Sequence, residues 1–197
     1  MRAARTLFAA KGYDAATVKE IADHAGVNVS LVNYHFSGKE GLYRTCLEHY
    51  GKVRLASAQR ILKAAASIEE FRVRLKMFIE EFFQLHLAEP ECCLILTRDV
   101  SLEMPMCEDI FQDTFLMMFN TLVRFVSDGK TKGFFRADCE EGIASSILFG
   151  SIIHLARKDR ISQKYFNVSL HNDDYRDKCV RELIAVFFRG VLPADVR

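Results

Sequence analysis

The 197-residue chain has no tryptophan, only three prolines and almost no net charge, with 27 Lys and Arg against 26 Asp and Glu. Each scarcity excludes something. No apolar run approaches the ~18 residues that span a bilayer; the longest near the end is Ile184–Phe188. Lys11 interrupts the short apolar stretch Leu7–Ala10, so no signal peptide is expected there. A soluble, cytoplasmic protein without a membrane partner is expected. Near-neutral charge excludes an unspecific polycation, though not a local basic surface. Pro90, Pro105 and Pro193 interrupt no long periodic segment, so each marks a helix boundary. The six cysteines include no Cys-x-x-Cys pair and have no secretory context, so reduced thiols are expected. No Gly-rich phosphate loop, His-Glu-x-x-His or Gly-x-Ser-x-Gly is present. The carboxylate pair Glu140-Glu141 sits at a helix start, where the helix dipole favours it. No enzyme, metal or cofactor is therefore expected. Lacking Trp, the chain cannot report a ligand by intrinsic Trp quenching.

What is present is helical spacing almost throughout. Ile68, Phe71, Leu75, Phe78 and Phe82 step by three and four residues and lay one stripe along a helix. Phe111, Phe115, Met118, Leu122 and Phe125 do the same further on. Alternating strand patterns are lacking. The pattern predicts an all-α protein of about nine helices: an N-terminal three-helix helix-turn-helix domain over residues 1–52, joined by a long helix to a helical domain over residues 53–197. The polar stretch Arg160–Asp174 reads as a loop.

The first fifty residues are dense in start and stop signals. Gly12 ends the first helix. Thr17-Val-Lys-Glu20 is a capping box, its hydroxyl and carboxylate each satisfying an orphan amide of a short helix through Ile21 and Ala22. Gly26 supplies the left-handed turn, and Asn28 caps a second short helix, Val29 to His35. Ser37-Gly-Lys-Glu40 is a second capping box that opens a long helix to about Ala66. Two short helices joined by a three-residue, Gly-containing turn form a helix-turn-helix unit. Ile21, Ala22, Val27 and Val32 are expected to pack it against Leu7 and Phe8.

The second helix of such a unit enters the DNA major groove. Val29, Ser30 and Asn33 share its leading side. Asn33 has the donor and acceptor for a bidentate pair with adenine, Val29 suits a thymine methyl, and Ser30 serves either way. Tyr34 and His35 lie where a phenol and an imidazole reach phosphate. Lys39 stands at a helix start, where backbone amides also favour an anion. Thr17 and Lys19 are placed for the opposite strand. Residues 1–52 hold seven Lys and Arg against five Asp and Glu, too small a surplus to identify a DNA binder alone.

The runs Leu7-Phe8-Ala9-Ala10-Lys11-Gly12-Tyr13, Thr17-Val18-Lys19-Glu20-Ile21-Ala22, Ala25-Gly26-Val27, Tyr34-His35-Phe36 and Lys39-Glu40-Gly41-Leu42-Tyr43 resemble the DNA-binding domain of the TetR family of transcriptional regulators. Beyond about residue 50 the resemblance rests on helix layout and on Gly133-Phe134-Phe135-Arg136-Ala137-Asp138, which is similar to the turn before that family's first dimerisation helix. Two departures stand out. Asn33 occupies a position more often aromatic, with Tyr34 following it. Only Arg2 and Arg5 stand where many relatives carry a basic arm.

The resemblance implies a homodimer on a double-stranded operator, most simply a repressor released by a small-molecule effector. It implies that the last two helices form an intersubunit bundle. Ile143, Ile147, Gly150, His154, Ala144, Leu148, Ser151 and Leu155 fit this role, as do Val180, Leu183, Ile184, Phe187, Phe188 and Val191. It also implies a pocket among helices four to seven. That body is rich in Phe and Met, including Phe83, Met104, Met106, Met117, Phe119, Phe134 and Phe135. Phe78, Phe82, Phe111, Phe115 and Met118 are the expected walls, and His86, Arg98, Gln84 and Thr97 the polar groups, for a mainly apolar or aromatic effector. Met makes such a wall adaptable. The alternative is a constitutive dimer, or one switched through the thiols of Cys92, Cys93 or Cys107.

Overall fold

A computed structural model describes residues 1–101 and 107–192. Met104, Pro105, Met106 and Pro193 lie outside the described residues. Among the described residues the architecture is helical, without strands: α1 (Arg2–Ala15), α2 (Val18–Ala25), α3 (Val29–Phe36), α4 (Lys39–Ile61), α5 (Ile68–Ala88), α6 (Pro90–Ser101), α7 (Glu108–Ile110), α8 (Met117–Thr131), α9 (Glu141–Arg157), α10 (Asp159–Phe166) and α11 (Asp173–Val191). A wide turn of π geometry, Phe111–Leu116, joins α7 to α8. No described helix is long and apolar enough to cross a membrane. The chain divides into two compact units, one of Met1–Val53 with Glu89–Phe115, the other of Arg54–Ala88 with the chain from Leu116. The long helix α4 contributes to both, and α6 belongs with the N-terminal helices.

In the N-terminal unit, Phe8, Ile21, Val32, Leu42, Leu47 and Tyr50 share a core with Cys92, Ile95, Ile110 and Phe115. Gly12, with φ 84°, kinks α1, and the helix resumes to Ala15, so this glycine does not end it as expected. The break leaves carbonyls without ladder partners. Arg98 of α6 takes two of them, Nη1 donating to Phe8 O at 3.1 Å and Nη2 to Ala9 O at 3.0 Å. An Arg5–Glu89 ion pair holds the other end of α6 to α1. Gly51 of α4 lies so near the π turn that an added Cβ would sit 2.2 Å from Thr114 Oγ1. Val27, expected in the core, is 44% exposed just after the left-handed Gly26 turn.

The C-terminal unit is built around aromatic rings. Phe71 stacks on Phe125 at 4.0 Å and meets Phe135 and Phe188 edge-on. Two helix ends differ from the sequence expectation. The long helix stops at Ile61, since Ser67 and Glu70 cap the next one: Ser67 Oγ accepts from Glu70 N, and Glu70 Oε2 accepts from Ala66 N. The expected loop at Arg160–Asp174 contains most of α10, which ends at Asn167 in a left-handed conformation; the Asp159 carboxylate at its start accepts from Ser169 Oγ and Leu170 N. The apolar side of α11 also departs from expectation. Val180, Ile184, Phe187, Phe188 and Val191 are buried within the unit. Ile143, Ile147 and Val186 are instead the large side chains left more than 60% exposed on α9 and α11.

Candidate nucleic-acid interface

Local chemistry fixes the geometry of α2 and α3. Thr17 Oγ1 accepts from Glu20 N at 3.2 Å while Glu20 Oε2 accepts from Thr17 N at 3.2 Å, so the capping box closes in both directions. Lys11 adds a 2.7 Å bond to Glu20, and these donors hold the Glu20 carboxyl below its ordinary range. The Lys11 bond is the larger cause. Gly26, at φ 67°, makes the turn, and Asn28 Oδ1 accepts from Ser30 N at 2.8 Å to open α3. Ser37 then closes α3 in a left-handed conformation with φ 57°.

Only Val32 of α3 is buried. Ser30, Leu31, Asn33, Tyr34 and His35 are exposed, Tyr34 to 82%, and Val29 is half-buried. Thr17 and Lys19 are exposed on α2. Among the described residues, no intramolecular hydrogen bond occupies the side chains of Lys19, Ser30, Asn33 or Tyr34. This leaves a helix face with free amide, hydroxyl and phenol groups on a rigidly capped element, which suits base-edge and phosphate contacts. The Tyr34 ring meets His35 edge-on at 5.1 Å, a large exposed aromatic that the unit's own packing does not require.

Lys39 is placed differently. Its Nζ donates to Tyr13 O at 2.9 Å, Asp14 O at 3.2 Å and Ala16 O at 3.0 Å, and lies 4.3 Å from the centre of the Tyr13 ring. All three ammonium protons are directed at the end of α1. Lys39 thus ties α4 to α1 and so positions the unit, where the sequence expected a phosphate contact from its place at a helix start.

The seven residues expected around an effector fall into separate units. Phe78, Phe82, His86 and Met118 belong to the C-terminal unit, and Arg98, Phe111 and Phe115 to the N-terminal one. The wide turn explains the division, since it breaks the single stripe that placed Phe111 and Phe115 with Met118. Arg98 is anchored on α1. The buried cation of the C-terminal unit is Arg54, 3% exposed, with Nη2 donating to Leu85 O at 2.9 Å. A signal for it was present in the sequence. Tyr43, Leu47, Tyr50, Arg54, Ser57 and Ile61 step by four and three along α4, so Arg54 is a charge on an otherwise buried stripe.

None of the six cysteines is in a disulfide. Cys92 and Cys107 are buried, and burial, followed by the neighbouring Asp99, pushes the Cys107 thiol up to about 12. Such a thiol stays protonated near neutrality and reacts slowly with oxidants. Among the described residues no group of His, Cys, Asp and Glu could hold a metal ion. A groove of about 880 Å³ runs along α9 and α11, walled by Ile143, Ile147, Leu183, Val186 and Phe187.

Residues 1–46 match the family model described as bacterial regulatory proteins, tetR family. A curated relative, the HTH-type transcriptional activator FasR of Mycolicibacterium smegmatis, is 35% identical over 81 residues, covering 41% of this chain and 36% of that protein. The aligned part thus spans about a third of the relative's length. Solved structures with the same fold include the ketosteroid transcriptional regulator KstR2 of Mycobacterium tuberculosis, at 19% identity and TM-score 0.74, covering 98% of this chain and 92% of that one. The fatty acid degradation regulator FadR from Bacillus halodurans has 17% identity and TM-score 0.71, with 96% of both chains covered. The TetR family transcriptional regulator PfmR from Thermus thermophilus has 16% identity and TM-score 0.73, covering 96% of this chain and 98% of that one.

Proposed function

From a chain whose residues 1–46 match the tetR family of bacterial regulatory proteins, we propose a ligand-responsive transcriptional regulator that binds its operator as a homodimer and leaves it when a small, mainly apolar effector binds. The observation that carries the reading is the open face of α3. Asn33 and Ser30 meet base edges there, Val29 touches a thymine methyl, and Tyr34 and His35 reach phosphate, with Thr17 and Lys19 of α2 on the opposite strand. Neighbours described as regulators of fatty acid degradation and of ketosteroids support an apolar effector, as does the aromatic interior of the C-terminal unit.

A two-fold operator calls for a two-fold protein. The exposed Ile143, Ile147 and Val186 along the α9–α11 groove support a second copy as its occupant. The division of labour proposed is DNA reading by residues 1–52 and effector binding with dimerisation by residues 53–197. Arg98, Phe111 and Phe115 carry the effect of ligand toward α1 and α4, since they pack with the N-terminal helices. The effector shifts the balance between a DNA-competent and a DNA-free dimer by no more than its differential affinity for the two. Repression, rather than the activation named for FasR, follows if ligand lowers DNA affinity.

The test is an operator titration with and without ligand. Saturating effector is expected to weaken operator binding about tenfold or more, and operator to weaken effector binding by the same factor. Unchanged DNA affinity across an apolar ligand library would leave a constitutive DNA-binding dimer as the better description.

A further inference from the structure

We propose that the effector carries an acidic head group ahead of its apolar tail, and that Arg54 and His86 of the C-terminal unit receive that head. The proposal rests on the effector reading above and names the chemical class of the ligand.

His86 is 5% exposed. One ring nitrogen donates to the carbonyl of Ala156, while Nδ1, equally buried, has no hydrogen-bond partner among the described residues. An unsatisfied buried polar atom is costly unless something fills it. The charges facing this imidazole come from three elements. Arg54 on α4 and His171 after α10 disfavour its protonation, Asp159 on α10 favours it, and burial, the largest cause, holds its pKa below the ordinary range. Asp159 does not fill the gap, because its two oxygens accept from Ser169 Oγ at 2.9 Å and Leu170 N at 2.6 Å. A buried guanidinium and a buried imidazole acceptor thus share one neighbourhood.

The chemistry that suits both is a carboxylic acid. A carboxylate gains charge-assisted hydrogen bonds from a guanidinium. It cannot face the lone pair of a neutral imidazole without a proton between them. Binding at neutral pH therefore brings in one proton, held on His86 Nδ1 or on the acid oxygen, and leaves an N–H···O or O–H···N bond. The tail has its place one helical turn earlier on α5. Phe82 lies 6.3 Å from Phe78 and 5.7 Å from Phe149, which lies 5.8 Å from Phe119, all ring centre to ring centre. These rings pack on one another in the free chain, and the tail enters by parting Phe82 from Phe149.

The experiment is calorimetric titration of the full chain with decanoate, decan-1-ol and methyl decanoate below their aggregation limits. Decanoate is expected to bind about tenfold or more tightly than the two uncharged ligands, as fits hydrogen bonds to a charged partner. Uptake of close to one proton per ligand is expected, read from buffers of different ionisation heat. Arg54→Gln and His86→Gln should each remove the preference for decanoate over the alcohol. Arg54→Lys, which keeps the charge, guards against loss of fold and should retain part of the preference. Equal binding of acid and alcohol by the unmodified chain overturns this proposal and leaves the effector reading intact. Binding of the acid with no proton uptake also overturns it. If none of these ligands and no member of an apolar library binds, the effector reading falls and this proposal falls with it.

Discussion

Asn33 and Lys39 stand six residues apart, and their surroundings give them opposite work. Asn33 has a free carboxamide on the exposed side of α3, so Asn33→Ala is expected to cost about 1–3 kcal/mol of discrimination and relax preference at one position of each half-site. A base-by-base competition assay reads this directly, and an unchanged preference would place α3 in a different register on DNA. Lys39 spends its protons on three carbonyls, so Lys39→Met should lower the melting temperature, by about 1–3 kcal/mol of stability. Its salt slope for DNA binding should stay unchanged, where a phosphate contact would reduce the slope by about one. His86 makes a pH prediction. Its pKa is depressed in the folded chain, so its contribution is fully present above the unfolded value of 6.5 and is lost as pH falls through the folded value. Melting temperature should therefore decline below about pH 6.5 in the unmodified chain, and less steeply in His86→Gln. Residue types on the reading helix were legible because helix-turn-helix geometry dictates which positions face out. The tie made by Lys39 was not, since it depends on where α1 ends in space.

Elements were legible where their own sequence closes them. The Thr17–Glu20 box, the Gly26 turn and the Asn28 cap need no tertiary information, and all three form as the sequence predicts. Elements set by packing were not. The stripe Phe111, Phe115, Met118 reads as one α-helix, yet the chain widens over Phe111–Leu116. Thr114 Oγ1 there turns back on Ile110 O, and α4 presents Gly51 against Thr114. Gly51→Ala places a Cβ 2.2 Å from Thr114 Oγ1, so a loss of about 1–3 kcal/mol is expected by thermal denaturation. Combining it with Thr114→Ala should recover part of that loss, while an unaltered melting temperature for the single variant would show that α4 and this turn yield without strain. Helix α10 was hidden for another reason: it is short and mostly polar, and its few apolar side chains, Ile161, Tyr165 and Phe166, remain exposed and form no buried stripe.

At the scale of the whole molecule, the sequence predicted the all-helical class, but not that Glu89–Phe115 shares a compact unit and a core with Met1–Val53. Nothing in the spacing of α6 separates a helix packed on α1 from one packed on α5. The sequence also assigned Ile184, Phe187 and Phe188 to an exposed face, whereas these side chains complete the unit's own core. The proposed dimer face is therefore assigned to Ile147 and Val186, each more than 60% exposed. Ile147→Asp combined with Val186→Asp should give monomers in sedimentation velocity with little change in helical content. A stable dimer in that variant would move the two-fold contact to another surface.

The central claim is that α3 of a two-fold assembly reads DNA sequence. Selection of bound fragments from a random duplex pool by the purified chain, followed by sequencing, tests it most directly. The account predicts an enriched palindrome whose half-sites are centred about ten base pairs, or a multiple of that, apart. Asn33→Ala should erase the information at one position in each half. Fragments retained with no shared sequence, or an enriched motif identical for the Asn33→Ala chain, would contradict it.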